Sequence, residues 1–187
     1  MSPVRTSGTS VPEAPVISDE ADDQPSSSPD RRWLVAGVAT GVLALPFLVA
    51  AVTLRRPHWY PVLDLAMTEL RLRDVGTGHT PLIGLPGRIG PNLDQQGSHP
   101  GPLSFYALAP LYRAFGSSAW AMLAATALLS VGAIAAALAV AARRGGTRLV
   151  VAVSALLSLL VAGYGLTVLT QPWNPYLPLL WWVVFLL

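Results

Sequence analysis

Three stretches of this chain carry no charged residue and are long enough to cross a membrane as helices. They lie at residues 33–54, 118–142 and 149–169 and consist mainly of Ala, Val and Leu. At about 1.5 Å of rise per residue, roughly 20 residues cross a hydrocarbon core about 30 Å thick. Only 12% of the residues are charged, against about 25% in a typical globular domain. The composition excludes an ordinary soluble enzyme, and the lack of Cys excludes a disulfide scaffold.

The first thirty residues have a different composition from the rest. They are rich in Ser and Pro and hold six acidic residues against one basic residue. Without apolar periodicity, such a segment cannot bury enough surface to offset chain entropy. We predict that residues 1–30 form a disordered cytoplasmic tail, with a phosphorylated or partner-binding Ser cluster at 26–28 as the alternative. The net charge of +2 averages two regions of opposite sign, so we expect no nucleic-acid partner.

Arginines set the expected orientation in the membrane. The loop 143–148 between the second and third apolar segments holds three Arg, and short Arg-rich loops stay on the cytoplasmic side. The tail then lies inside, and the long segment 55–117 lies outside. A fourth apolar segment begins near Pro178 and runs about ten residues, fewer than the roughly 20 needed to span. We therefore expect residues 31–187 to be the membrane domain of an all-α, polytopic protein of the cell membrane, cut within its fourth span.

The outer loop 55–117 carries most of the polar chemistry. Two amphipathic or aromatic helices are predicted in it, at 61–75 and 102–115, each too short to span and suited to lie at the outer membrane interface. The stretch between them is dense in Gly and Pro and predicts a loop. The loop also contains all three His and every acidic residue outside the tail, namely His58, Asp64, Glu69, Asp74, His79, Asp94 and His99.

Asp64 is the leading candidate for a catalytic residue. It lies in the first turn of the predicted helix 61–75, close to the end of the first apolar segment, where a carboxylate can meet a membrane-bound substrate. Glu69 and Arg73 are spaced i, i+4, and an exposed ion pair is their simplest interpretation.

The Gly/Pro loop contains one candidate anion-binding residue and three residues of types that can bind a metal. The segment 84–90 lacks the Gly-Lys-Ser/Thr ending of a phosphate-binding loop. Arg88 within it suits an anion or a lipid headgroup. His79, Asp94 and His99 have no ligand spacing, so no metal ligand is assigned, and a divalent metal is left open.

The order of these features is itself informative. One apolar segment is followed by an interfacial helix with Asp64, Glu69, Arg71 and Arg73, a Gly/Pro loop, the motif HPGPLSFY at 99–106 and a closing Phe-Gly at 115–116. Over residues 33–187 this order resembles the membrane glycosyltransferases of the GT-C superfamily. The subgroup that looks most similar contains the protein O-mannosyltransferases and the lipid A aminoarabinose transferase.

The resemblance implies transfer of a sugar from a polyprenyl-phosphate donor to an acceptor on the outer face of the membrane. By position, Asp64 matches the family's acidic residue, which acts as general base or positions the acceptor hydroxyl. Arg71 or Arg88 would then assist the donor phosphate, and we count Glu69 and His99 as further expected substrate-binding residues.

Two departures from the family pattern leave the donor and acceptor classes open. Leu65 follows Asp64 where relatives commonly have a second acid, and the second helix is preceded by His-Pro-Gly-Pro at 99–102 in place of Lys-Pro-Pro. The competing hypothesis is a non-catalytic multi-pass protein, a transporter or an envelope-assembly partner, with 55–117 as a periplasmic docking loop. A transporter should carry polar groups in mid-span, and the three apolar segments contain no Asp, Glu, Lys, Arg or His, which favours the transferase.

Overall fold

The computed structural model describes residues 29–56, 59–87, 90, 92 and 95–187, with backbone alone for 29 and 30. The predicted tail therefore lies outside the described residues, apart from its last two. The protein is mostly helical (71%). Within the described part there is no strand, only an isolated bridge between Pro86 and Ser98. The expected all-α class is confirmed.

Five helices follow one another in the described part of the chain: α1 (Pro29–Thr53), α2 (Asp64–Asp74), α3 (Leu103–Ala114), α4 (Ala119–Leu169) and α5 (Leu179–Leu186). α1 corresponds to the first apolar segment and α3 to the predicted helix 102–115. The predicted helix 61–75 begins late, at Asp64, because Leu63 has a φ of 53°, which a right-handed helix does not accept. α5 begins where the fourth apolar segment was expected.

α4 is a helical hairpin. Gly145 and Gly146 leave helical geometry, and Gly146 has a φ of 60°, which favours glycine. Ser130 Oγ donates a hydrogen bond to the carbonyl of Leu169 at 3.0 Å, whereas 39 residues of straight helix would separate these positions by about 58 Å. The two arms, 119–144 and 147–169, correspond to the second and third apolar segments.

α1 runs antiparallel to the first arm of α4. The indole Nε1 of Trp120 donates to the carbonyl of Ala51 at 2.7 Å, and at the other end Arg143 lies 5.9 Å from the ring centre of Trp33. Between these ends the buried Phe47 belongs to a cluster rich in Ala from α4, because small side chains let helices approach closely.

Two helices, over Arg31–Thr53 and Ala119–Leu169, are long and apolar enough to cross a membrane. In each, only 17% of the most apolar window is buried inside the protein. The core helix of a soluble protein would be mostly covered, whereas α1 exposes its Leu and Val side chains. Leu34, Val38, Val42 and Leu45, for example, are each at least 60% exposed. An exposed apolar surface of this extent is suited to lipid.

α2 and α3 form a separate cap at the end of the bundle where α1 ends and α4 begins. Their shared core is centred on Leu72, Phe105, Leu108, Tyr112 and Met122, all without exposed surface. The cap is thereby fixed to the first turns of α4, and it brings side chains of α2 next to the joint between α1 and α4.

Candidate functional site

A buried hydrogen-bond network connects α2 and α3. Arg73 Nη2 donates to Glu69 Oε1 at 2.7 Å, Arg73 Nε donates to Tyr112 Oη at 3.1 Å, and Tyr112 Oη donates to the same Glu69 oxygen at 3.0 Å. Tyr112 has no exposed surface and Glu69 is only 8% exposed. We call these three residues the Glu69 network.

The network differs from the exposed ion pair expected from the i, i+4 spacing. That expectation is correct for the side chain of Arg73, which is 56% exposed, and wrong for that of Glu69, which is 11% exposed. The spacing on α2 places the two side chains together. The hydroxyl of Tyr112, supplied by the packing of α3 on α2, then covers the carboxylate.

The protonation states of Tyr112 and Arg73 follow from their contacts. Burial raises the pKa of Tyr112 above its ordinary value, although the hydrogen bond from Arg73 works in the opposite direction. Hydrogen bonds to Tyr112 and to Glu69 raise the pKa of Arg73. At neutral pH Tyr112 is therefore a neutral hydroxyl and Arg73 a charged guanidinium, and both donate to Oε1 of Glu69.

Glu69 and Arg73 also line a cleft of about 370 Å³ between the end of α1 and the start of α4. We call it the arginine cleft, because Arg55 lines it together with Arg73. The remaining walls come mainly from three aromatic residues and from the residues before α4, namely Trp59, Tyr60, Trp120, Ser117 and Ser118.

Local contacts fix the cationic side of the arginine cleft. The guanidinium carbon of Arg55 lies 5.2 Å from the ring centre of Trp120, a distance within cation–π range. Ser118 caps α4, its Oγ accepting from the N–H of Ala121 at 3.2 Å, and the N-terminus of a helix carries partial positive charge. Ser117 adopts a φ of 51°, a conformation uncommon outside glycine. The cleft therefore combines two guanidinium groups, a helix start and one carboxylate.

A second, larger cleft of about 650 Å³ lies where the start of α3 approaches α5. We call it the tryptophan cleft, after Trp181 and Trp182, and most of its walls are apolar. Its polar edge holds His99 and a hydrogen bond of 2.7 Å from Ser104 Oγ to Asn174 Oδ1. The amide nitrogen of Asn174 is buried and has no partner among the described residues.

The sequence-predicted site residues do not come together in one place. Glu69 lines the arginine cleft and His99 lines the tryptophan cleft, whereas Asp64 and Arg71 are partly buried and line neither. Arg88 lies outside the described residues. On α2, five residues separate Asp64 from Glu69, which corresponds to about 140° around the helix axis. The two carboxylates therefore point to different sides of α2.

Sequence reasoning did not single out Arg55, Tyr112 or Trp120. No local pattern connects Glu69 with Tyr112, 43 residues away. Within the described part of the chain, no group of three or more His, Asp or Glu side chains is arranged to hold a metal ion.

Comparison of the chain with protein-family models, with curated proteins and with solved structures finds no match.

Proposed function

We propose that this chain belongs to an integral membrane glycosyltransferase, which moves a sugar from a polyprenyl-phosphate donor to an acceptor on the outer face of the membrane. The observation that carries the proposal is the arginine cleft, which is lined by the buried carboxylate of Glu69 and by the guanidinium groups of Arg55 and Arg73. Transfer from a lipid phosphate needs these groups, because a hydroxyl must lose its proton while a phosphate leaves with negative charge.

In the proposed arrangement α1 and both arms of α4 cross the membrane. The tail and the Arg-rich turn 143–148 face the cytoplasm, in keeping with the positive-inside rule. The arginine cleft is formed by the end of α1 and the start of α4, so it opens on the outer surface beside the lipid headgroups. A donor anchored in the outer leaflet would present its phosphate at that depth.

Arg55 and Arg73 are the proposed phosphate ligands. A guanidinium offers parallel N–H donors that match two phosphate oxygens and keeps its charge at any physiological pH. The hydrogen bonds of Arg73 within the Glu69 network use Nε and Nη2, so Nη1 is the donor that would meet the phosphate. The aromatic side chains of Trp59 and Tyr60 supply flat apolar surface for the sugar ring.

The proposed chemical step is a displacement at the anomeric carbon of the sugar. The acceptor hydroxyl attacks this carbon, its proton passes to a carboxylate, and the bond from carbon to the phosphate oxygen breaks with its electron pair on the phosphate. Asp64 is the base that the resemblance to the GT-C superfamily implies, and Glu69 is the carboxylate that lines the cleft. A general base must lie within hydrogen-bond reach of the proton it removes, which makes Glu69 a second candidate for the role.

The tryptophan cleft is proposed to hold part of the apolar chain of the polyprenyl-phosphate donor. Its walls, including Leu103, Leu129 and Trp181, offer a hydrophobic surface, and burial of an isoprenoid chain is favourable in proportion to the apolar area covered. His99 and Asn174 at its edge would meet polar atoms, consistent with the expected role of His99 in substrate binding.

The test is a transfer assay with the full-length protein in liposomes that contain radiolabelled polyprenyl-phosphate sugars. Loss of label from the donor is measured for the wild type, Asp64→Asn and Glu69→Gln. Asp74→Asn, which changes an acid at the far end of α2, is the matched control and should retain the wild-type rate. We expect at least one of the two other variants to lose transfer while inserting normally. Wild-type rates in both, or no transfer from any donor, would refute the proposal and favour the non-catalytic multi-pass protein.

A further inference from the structure

Five arginines lie at the end of the bundle opposite the two clefts. They are Arg31, Arg32, Arg143, Arg144 and Arg148, and we call them the inner arginine cluster. Arg31 and Arg32 belong to the first turns of α1, and the other three flank the reversal of α4. The antiparallel packing of α1 on the first arm of α4 brings these two regions together.

Trp33 joins the two halves of the cluster. The guanidinium carbons of Arg32 and Arg143 each lie 5.9 Å from its ring centre, although they belong to different helices. Two like charges are thus held near a single indole. An aromatic face attracts each cation but does not neutralise either.

The sequence supplies little negative charge to balance the cluster. Residues 95–187 contain no acid, and Asp30 is the one acid in residues 29–63. Arg148 has an interaction of its own within the protein, and Arg144 donates to the carbonyl of Leu187. Among the described side chains, which do not include that of Asp30, no ion pair engages Arg31, Arg32 or Arg143.

Two buried polar atoms at this end also lack a hydrogen-bond partner in the described part of the chain. They are Nε of Arg32, on α1, and the hydroxyl oxygen of Thr147, at the start of the second arm of α4. Buried donors are nearly always satisfied in native proteins, and a charged donor without an acceptor is the costliest kind. Both atoms require an acceptor from outside the described residues.

We infer that the inner arginine cluster binds the phosphate of an anionic membrane lipid, with the headgroup between the start of α1 and the turn of α4. A phosphate offers several acceptor oxygens to guanidinium N–H groups at once. Below the cluster α1 exposes Leu34 and Val38, which are 67% and 61% exposed, and this apolar surface continues the site toward the acyl chains. The inference rests on the proposed membrane position of the bundle and not on its transferase chemistry.

The experiment measures lipid retained by the full-length protein after purification from vesicles of equimolar phosphatidylcholine and phosphatidylglycerol, by native mass spectrometry. Arg32→Gln and Arg143→Gln should each bind phosphatidylglycerol about fivefold more weakly, since one arginine near an anionic surface contributes about that factor. Arg56→Gln, which removes an exposed arginine at the opposite end, is the matched control and should bind as the wild type does. If either variant fails to fold, Arg31→Gln replaces it.

Retention of phosphatidylglycerol by the arginine variants at the level of Arg56→Gln would overturn the inference, as would equal retention of phosphatidylcholine. A variant in which each of the five acidic residues in 1–28 is replaced by its amide, Asn for Asp and Gln for Glu, tests whether the chain's own acidic residues occupy the cluster. If the amide variant retains as much phosphatidylglycerol as the wild type, or more, a lipid ligand is supported. If the amide variant retains lipid and the wild type does not, the chain's own acidic residues occupy the cluster and the inference is overturned. Lipid retention is scored independently of sugar transfer, so failure of one proposal is distinguishable from failure of the other.

Discussion

Replacing Tyr112 with Phe tests the Glu69 network directly. The change removes one hydroxyl and leaves the buried ring in place, so its main effect is the loss of the 3.0 Å bond to Glu69 and the 3.1 Å bond from Arg73. Glu69 keeps the 2.7 Å bond from Arg73 Nη2, and the half-exposed Arg73 can replace its lost acceptor with water. The dominant cost is one hydrogen bond to a charged group, so the free energy of unfolding should fall by about 1.5 to 3 kcal/mol.

The same substitution should change how stability depends on pH. Burial raises the pKa of Tyr112 in the folded protein above its ordinary value of 10.0. Below that value the tyrosine is protonated in both the folded and the unfolded state, and its contribution to stability is fully present. Above pH 10.0 the tyrosine ionises first in the unfolded chain, so the free energy of unfolding of the wild type falls as the pH rises toward the pKa of Tyr112 in the folded protein. Tyr112→Phe should show a shallower decline in this window.

Both effects are measurable by thermal unfolding in detergent, followed by Trp fluorescence at a series of pH values. Tyr164→Phe is the matched control, because Tyr164 is 45% exposed on α4 and lies outside the network. The reasoning from a buried network is refuted if Tyr112→Phe unfolds at the same temperature as the wild type at neutral pH and its unfolding temperature falls as steeply as that of the wild type at alkaline pH.

Three other outcomes follow from the structure. Arg55→Gln should weaken binding of a polyprenyl-phosphate donor about tenfold or more, the effect of losing one hydrogen bond to a charged group, whereas the neighbouring Arg56→Gln should leave it unchanged in the same titration. Cysteines at Gln95 and Arg144 should react with a membrane-impermeant reagent from the outside and from the inside respectively, and the reverse pattern would contradict the proposed orientation. Gly146→Ala should lower stability in thermal unfolding by about 1 to 3 kcal/mol, because this glycine has a φ of 60° and a ψ of −153°; no loss would show that the turn can relax.

The helices were predictable from the sequence because their determinants are local. Uninterrupted apolar residues define α1 and both arms of α4, and a pair of glycines marks the reversal between the arms. The start of α2 was not predicted correctly because it depends on the positive φ of Leu63, and the residue type does not indicate this backbone conformation. The clefts were missed for a related reason: Arg55 and Trp120 meet only after α1 and α4 have packed, and the burial of Glu69 depends on the distant Tyr112.

The packing of α2 bears on which carboxylate would act in the proposed sugar transfer. Leu72, three residues after Glu69, lies on the same side of α2 and is fully buried in the cap, so the two residues fix the rotation of the helix together. Turning α2 by about 140° to bring Asp64 to the cleft would expose Leu72 and break the two hydrogen bonds that join the Glu69 network to Tyr112 on α3. The fold thus holds Glu69 at the cleft, and Asp64 could take part in the proposed transfer only from the other side of α2. Loss of activity in Asp64→Asn alone would therefore locate the acceptor outside the arginine cleft, whereas loss in Glu69→Gln alone would locate it within.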